Sequence, residues 1–178
     1  MTFFYLKNKP MAKLIWITGL SGSGKTTYGK EVYRRMKIDN INTVFLDGDT
    51  YRDLFESYGY SREDRLLVAK NLIEITSLLI SQNINVVCCT ISLFKEIHLE
   101  LKNKFKKCVI VFISCKFEEL LKRDQKGLYS CCQKGEISNV VGVDIDFDLP
   151  TQPFISIDNT FKSNLKFNLE DLFKKLEL

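Results

Sequence analysis

The stretch Gly19-Leu20-Ser21-Gly22-Ser23-Gly24-Lys25-Thr26-Thr27 limits what this chain can fold into more than any other. It fits G-x-x-x-x-G-K-[ST], and its flanks fit as well. Lys13–Thr18 before it is a nearly continuous apolar run and reads as a buried strand. Lys25–Lys37 after it reads as a helix closed by the turn-forming Asp39-Asn40. A glycine-rich turn between strand and helix lets main-chain N–H groups converge on phosphate oxygens, and the helix adds the positive end of its dipole. Gly19, Ser21, Gly22, Ser23, Gly24, Lys25, Thr26 and Thr27 are therefore candidate nucleotide-binding residues. Lys25 would reach the outer phosphates, and the Thr26 hydroxyl would be a Mg²⁺ ligand.

Beyond this loop, strand-like and helix-like segments alternate. Strands are expected at Thr43–Leu46, Asn85–Ile91, Cys108–Ser114 and Phe154–Ile157. Helices are expected at Arg62–Gln82, Phe94–Phe105, Phe117–Arg123 and Leu169–Leu176. Alternation of this kind predicts an α/β fold: a three-layer P-loop NTPase or nucleotide-kinase architecture, with a parallel sheet flanked by helices. Lys126–Pro150 shows no period and reads as a lid segment in a single domain of 178 residues, with an extra N-terminal segment over residues 1–12. Met11 is an alternative start, and the aromatics Phe3, Phe4 and Tyr5 suit a core edge or a dimer contact.

Ligands of such folds sit at the carboxyl ends of the strands. The second strand ends in Asp47-Gly48-Asp49. One carboxylate can hold Mg²⁺ or its waters, and the other can accept a proton from an attacking hydroxyl. The catalytic candidates are Asp49, Lys25 and Asp47, and the metal candidates are Thr26 and Asp47.

Composition removes several classes. A formal charge of +4, spread along the chain, gives no reason to expect nucleic acid as a partner, though it suits anionic small molecules. No apolar run is long enough to span a bilayer. Six cysteines without C-x-x-C spacing, and one histidine, His98, offer no zinc site; buried reduced thiols in the cytoplasm are expected. His98 reads as a surface or half-buried helix residue, and Cys131-Cys132 as exposed thiols of the lid.

Several further blocks resemble the adenylylsulfate (APS) kinase family. They are the loop at Gly19–Thr27, Asp47-Gly48-Asp49-Thr50-Tyr51-Arg52, Gly59-Tyr60-Ser61-Arg62-Glu63-Asp64-Arg65, Thr90-Ile91-Ser92, Arg123-Asp124-Gln125-Lys126-Gly127-Leu128-Tyr129, Gly135-Glu136-Ile137 and Gly142-Val143-Asp144. The resemblance spans about Lys13 to Thr160. It implies an ATP- and Mg²⁺-dependent kinase that phosphorylates the ribose 3′-hydroxyl of a small nucleotide. It implies Asp49 as base, Arg123 near the ATP base, and Arg52 and Arg65 as clamps on the acceptor's anionic end. It places Tyr60, Ile91, Ser92, Lys126 and Leu128 around the acceptor, and it implies a homodimer.

The departures gather on the acceptor side. The family's substrate-binding Asn is Val68, a family Arg is Lys70, the lid Arg is Gln133, and the second phenylalanine of its adenine clamp is Val140. Losing one stacking face costs about 1–3 kcal/mol, and losing the Asn hydrogen bond about 0.5–1.5 kcal/mol. Together they amount to roughly tenfold to a thousandfold in affinity for an adenine nucleotide. A smaller pyrimidine needs less clamp. The pattern is similar to the branch of the family that acts on cytidine diphosphoramidate in capsule synthesis, with adenylylsulfate as the alternative acceptor.

Overall fold

In the computed structural model, residues 12–39, 42–55, 59–124, 127–150, 154–161 and 164–178 are described. The first strand, β1 (Leu14–Thr18), is wholly buried and lies at the centre of the sheet. The two-residue period of a strand sends alternate side chains to opposite faces. Leu14 and Trp16 enter one hydrophobic core, and Ile15 and Ile17 the other. The neighbouring β3 (Asn85–Cys89) divides in the same way, with Val86 and Cys88 on one face and Val87 and Cys89 on the other. A strand apolar on both faces needs cover on both, and this produces the three layers.

The remaining strands are β2 (Thr43–Asp47), β4 (Cys108–Ser114) and β5 (Ile155–Asp158), in the all-parallel order β2-β3-β1-β4-β5. On one face pack α3 (Arg62–Ser81) and α4 (Lys95–Lys104), through residues such as Leu72, Ile73, Ile97 and Leu101. On the other pack α1 (Lys25–Asp39) and α7 (Leu165–Leu176), through Tyr28, Val32, Leu172 and Leu176. Three shorter helices are α2 (Gly48–Phe55), α5 (Phe117–Arg123) and α6 (Leu128–Gln133).

The expected α/β sheet is present, and β4 and α5 have the expected bounds. Other elements differ. The second helix, α2, was not expected, because Gly48 is a poor helix former. It forms because the Asp47 carboxylate accepts the N–H groups of Asp49 (3.0 Å) and Thr50 (3.4 Å), as an N-cap does. Glycine is needed at 48 because a Cβ there would lie 2.5 Å from the Thr90 hydroxyl. The lid segment contains α6, capped by Asp124 through the N–H groups of Tyr129 and Ser130. The third strand stops at Cys89, two residues early, and α7 starts at Leu165, four residues early. No described helix is long and apolar enough to cross a membrane. All six cysteines are free, with Cys88 and Cys89 buried and the other four, including Cys131 and Cys132, half-buried. The calls on residues 1–11 lie outside the described residues.

Candidate active site

The carboxyl ends of the strands open into a cleft of about 430 Å³. A larger hollow of about 590 Å³ lies at the opposite ends of the strands, beside Lys13, Asn85 and Lys107, and contains none of the phosphate-loop residues. The smaller cleft is therefore the candidate site.

One wall is the loop after β1. Ser21, Gly22, Gly24, Lys25, Thr26 and Thr27 line it. Lys25 donates from Nζ to the Leu20 carbonyl at 2.9 Å. Two of the expected loop residues play a different part. Gly19 packs beneath the loop, where a Cβ would come within 2.5 Å of the Ile113 carbonyl. Ser23 is fully buried, so its side chain cannot reach a ligand and only its main chain belongs to the loop.

Beside this wall, Asp47 and Asp49 enter the same cleft as Lys25. The Thr26 hydroxyl donates to Asp47 Oδ2 at 3.0 Å, while Oδ1 caps α2. Thr26 and Asp47 thus present adjacent oxygens. Among the described residues no three His, Cys, Asp or Glu side chains cluster as a protein-only metal cage. An oxygen pair without a cage suits Mg²⁺, which keeps waters and shares phosphate ligands. Asp49 rides in the first turn of α2, close enough to act on the charge of Arg65.

The facing wall is made of Arg52, Tyr60, Arg65, Ile91, Leu128 and the stretch 137–141. Ser61 and Asp64 form a reciprocal capping box at the start of α3, which sets Tyr60 at the rim. The Tyr60 ring, half exposed, lies 4.8 Å from the Arg52 guanidinium and 5.4 Å from that of Arg65. Arg65 donates from Nε to the Tyr60 carbonyl (2.8 Å) and from Nη2 to the Asn139 carbonyl (2.7 Å). Burial, with Arg52 nearby, lowers its pKa to about 10, so it remains a cation at neutral pH. Asp144 in turn accepts the N–H groups of Asn139 and Val140 and shapes the lid turn.

Several expectations need correction. Ser92 does not line the cleft. It is fully buried and its Oγ accepts the Trp16 indole N–H at 2.8 Å, a core role that satisfies a buried donor. Val68 lies in the core and does not itself line the cleft. His98 is 3% exposed and so neither surface nor half-buried, and neither ring nitrogen has a hydrogen-bond partner among the described residues. Arg123 does not line the cleft; its guanidinium is held by the carbonyls of Gly22, Asn159 and Thr160 and by Glu119. Lys126 lies outside the described residues. Sequence reasoning missed Tyr129 and Asn159, which touch the phosphate loop from behind. Tyr129 sat in a quoted motif, but Asn159 carried no signal beyond its place after the last strand.

Comparison with known proteins is consistent with this geometry. The family described as adenylylsulphate kinase matches residues 11–158. A cytidine diphosphoramidate kinase of Campylobacter jejuni is 40% identical over 97% of this chain and 100% of its own length. An adenylyl-sulfate kinase of a Picosynechococcus species is 34% identical over 91% of this chain and 92% of its own. The structure of a Mycobacterium tuberculosis APS kinase in complex with AMPPNP and APS superposes with a TM-score of 0.76 at 27% identity, covering 91% of this chain and 99% of that one.

Proposed function

The chain belongs to the adenylylsulphate kinase family and is a nucleotide-binding phosphotransferase with a hydroxyl acceptor; we propose that it transfers the γ-phosphate of ATP to the ribose 3′-hydroxyl of cytidine diphosphoramidate. The observation that carries this reading is the pairing of two walls across one cleft. Lys25, Thr26, Asp47 and Asp49 face the transfer point, while among the described residues the acceptor end offers one aromatic ring, Tyr60, and an aliphatic Val140.

In this mechanism the loop main chain and Lys25 bind the phosphates. Thr26 and Asp47 would hold Mg²⁺, which would neutralise phosphate charge when bound. Asp49 accepts the proton of the 3′-hydroxyl. That oxygen bonds to the γ-phosphorus as the bond to the β–γ bridging oxygen breaks, and ADP leaves. Arg52 and Arg65 take the anionic end of the acceptor; the Nη1 of Arg65 carries no hydrogen bond within the described chain and remains available for it. Tyr60 stacks on the base, with Ile91, Leu128 and Val140 beside it. Arg123 serves the nucleotide from behind the loop. A cytosine ring, smaller than adenine, matches a clamp with one aromatic face.

The second reading is an APS acceptor, favoured by the retained Tyr60 ring and both arginines. Capsule synthesis in the cytoplasm, by a homodimer, is the setting we infer for the first. The test is a side-by-side measurement of kcat/KM with ATP and Mg²⁺ for cytidine diphosphoramidate and APS. A higher value for APS would overturn the pyrimidine assignment.

A further inference from the structure

We infer that Tyr129 and Asn159, with Arg123, are positioning residues that hold three successive carbonyls of the phosphate loop. The inference rests on reading Gly19–Thr27 as the nucleotide site. Ser21 O accepts from Tyr129 Oη at 2.8 Å, Gly22 O from Arg123 Nη1 at 3.3 Å, and Ser23 O from Asn159 Nδ2 at 2.7 Å. The donors come from three elements: α6, the end of α5, and the residue after β5. The Leu20 carbonyl differs, since it is held by the loop itself, through Lys25 Nζ and the Ser23 N–H.

A trans peptide is planar, so its carbonyl and its N–H point in opposite directions. Fixing the Ser21 carbonyl from behind turns the Gly22 N–H the other way, and fixing Ser23 does the same for Gly24. Both glycines line the cleft. The middle unit is used otherwise, because the Ser23 N–H closes a turn onto Leu20 O at 3.2 Å. Gly22 (φ 74°) and Gly24 (φ 105°) lie in the region glycine enters freely, so the loop's own backbone does little to prevent these peptides from rotating. Restraint from outside the loop comes from the three side chains.

Each donor is itself fixed. The Tyr129 ring meets Phe117 edge-on at 5.5 Å and packs with Leu120 and Val140. Val140 also lines the acceptor end, so this one side chain supports both walls. Asn159 accepts the Tyr28 hydroxyl at 3.2 Å, which assigns its amide NH₂ to Ser23. It approaches so closely that a Cβ on Gly24 would lie 2.5 Å from Nδ2.

A loop held in its binding geometry loses less freedom when phosphate arrives. Removing a donor should therefore weaken nucleotide binding and leave the acceptor untouched. The test uses Tyr129→Phe, which keeps the ring and its packing, and Asn159→Asp, which replaces the donor by an acceptor at similar shape. Equilibrium binding of ATP with Mg²⁺, the KM of each substrate and thermal melting are measured on the full chain. Each variant is expected to raise the ATP Kd about fivefold to thirtyfold, with the acceptor KM within about twofold. If Asn159→Asp does not fold, Tyr129→Phe decides. An unchanged ATP Kd in Tyr129→Phe, or an equal rise in both KM values, overturns the inference. Wild-type protein that bound no ATP would instead retire the nucleotide-site reading itself.

Discussion

On the phosphate side of the cleft the chain offers backbone: Gly22, Gly24 and the first turn of α1, with side chains from three other elements steadying the loop from behind. On the acceptor side it offers the side chains of Tyr60, Arg65 and Val140, with the Arg65 guanidinium donating to the carbonyls of Tyr60 and Asn139. Backbone cannot be exchanged by substitution, and at Gly19 and Gly24 an added Cβ would come within 3 Å of a neighbouring atom. Side chains can be replaced without moving the sheet. The contrast teaches why an acceptor wall made of side chains can change more freely than a phosphate wall made of backbone.

The largest effect should come from the transfer point. Asp49→Ala is expected to lower kcat by about 10²–10⁴ while the chain still folds, because the α2 cap uses the Asp49 N–H, which the substitution keeps. A variant that kept more than about a tenth of the turnover would show that Asp49 is not the base. Next, Arg65→Lys removes the fork that reaches Tyr60 and Asn139. We expect the acceptor KM to rise about tenfold to a hundredfold and the ATP KM to hold; steady-state kinetics with each substrate varied would show the split, and a matched rise in both would erase the distinction between the walls.

A smaller effect tests the clamp. Val140→Phe should tighten binding of adenine nucleotides at the acceptor end by several-fold, since a stacked ring adds about 1–3 kcal/mol less the strain of enlarging a residue that packs on Leu120 and Tyr129. Titration with an adenine nucleotide and a cytidine nucleotide would reveal it; equal affinities before and after would mean that residue 140 does not meet the base. The smallest effect concerns pH. Burial lowers the pKa of His98 below its ordinary 6.5, and the Asp148 and Glu96 carboxylates only partly oppose this. The folded chain therefore holds a neutral ring, and this contribution to stability is complete above pH 6.5 and declines as pH falls below it. Asp148 also accepts the Lys95 N–H, tying the end of the lid to α4. Melting curves at pH 7.5 and 5.5 should fall further apart for wild type than for His98→Leu, and parallel shifts would exclude His98 as the cause.

The phosphate side was also the more legible in the sequence. A continuous apolar strand followed by glycines and Lys25 admits few structures, and strand–helix alternation implies a parallel sheet, although the order β2-β3-β1-β4-β5 is visible only in the structure. Ser92 misled because its position in a motif says nothing about orientation; the indole of Trp16, 76 residues earlier, claims its hydroxyl. Helix α6 escaped notice because it is six residues long and its cap, Asp124, lies outside it. Contacts distant in sequence carry no periodic signal, and the three donors behind the phosphate loop are of this kind.

Asp47 divides its two oxygens between neighbours: one meets the Thr26 hydroxyl and the other starts the helix that carries Asp49 and Arg52. Chemistry and architecture are thus fused at a single carboxylate. An inactive Asp47→Ala enzyme would reveal nothing about metal binding by itself, because the same change unfastens the helix bearing the base, and only a comparison with Asp47→Asn, whose amide oxygen can still cap, would pull the two apart.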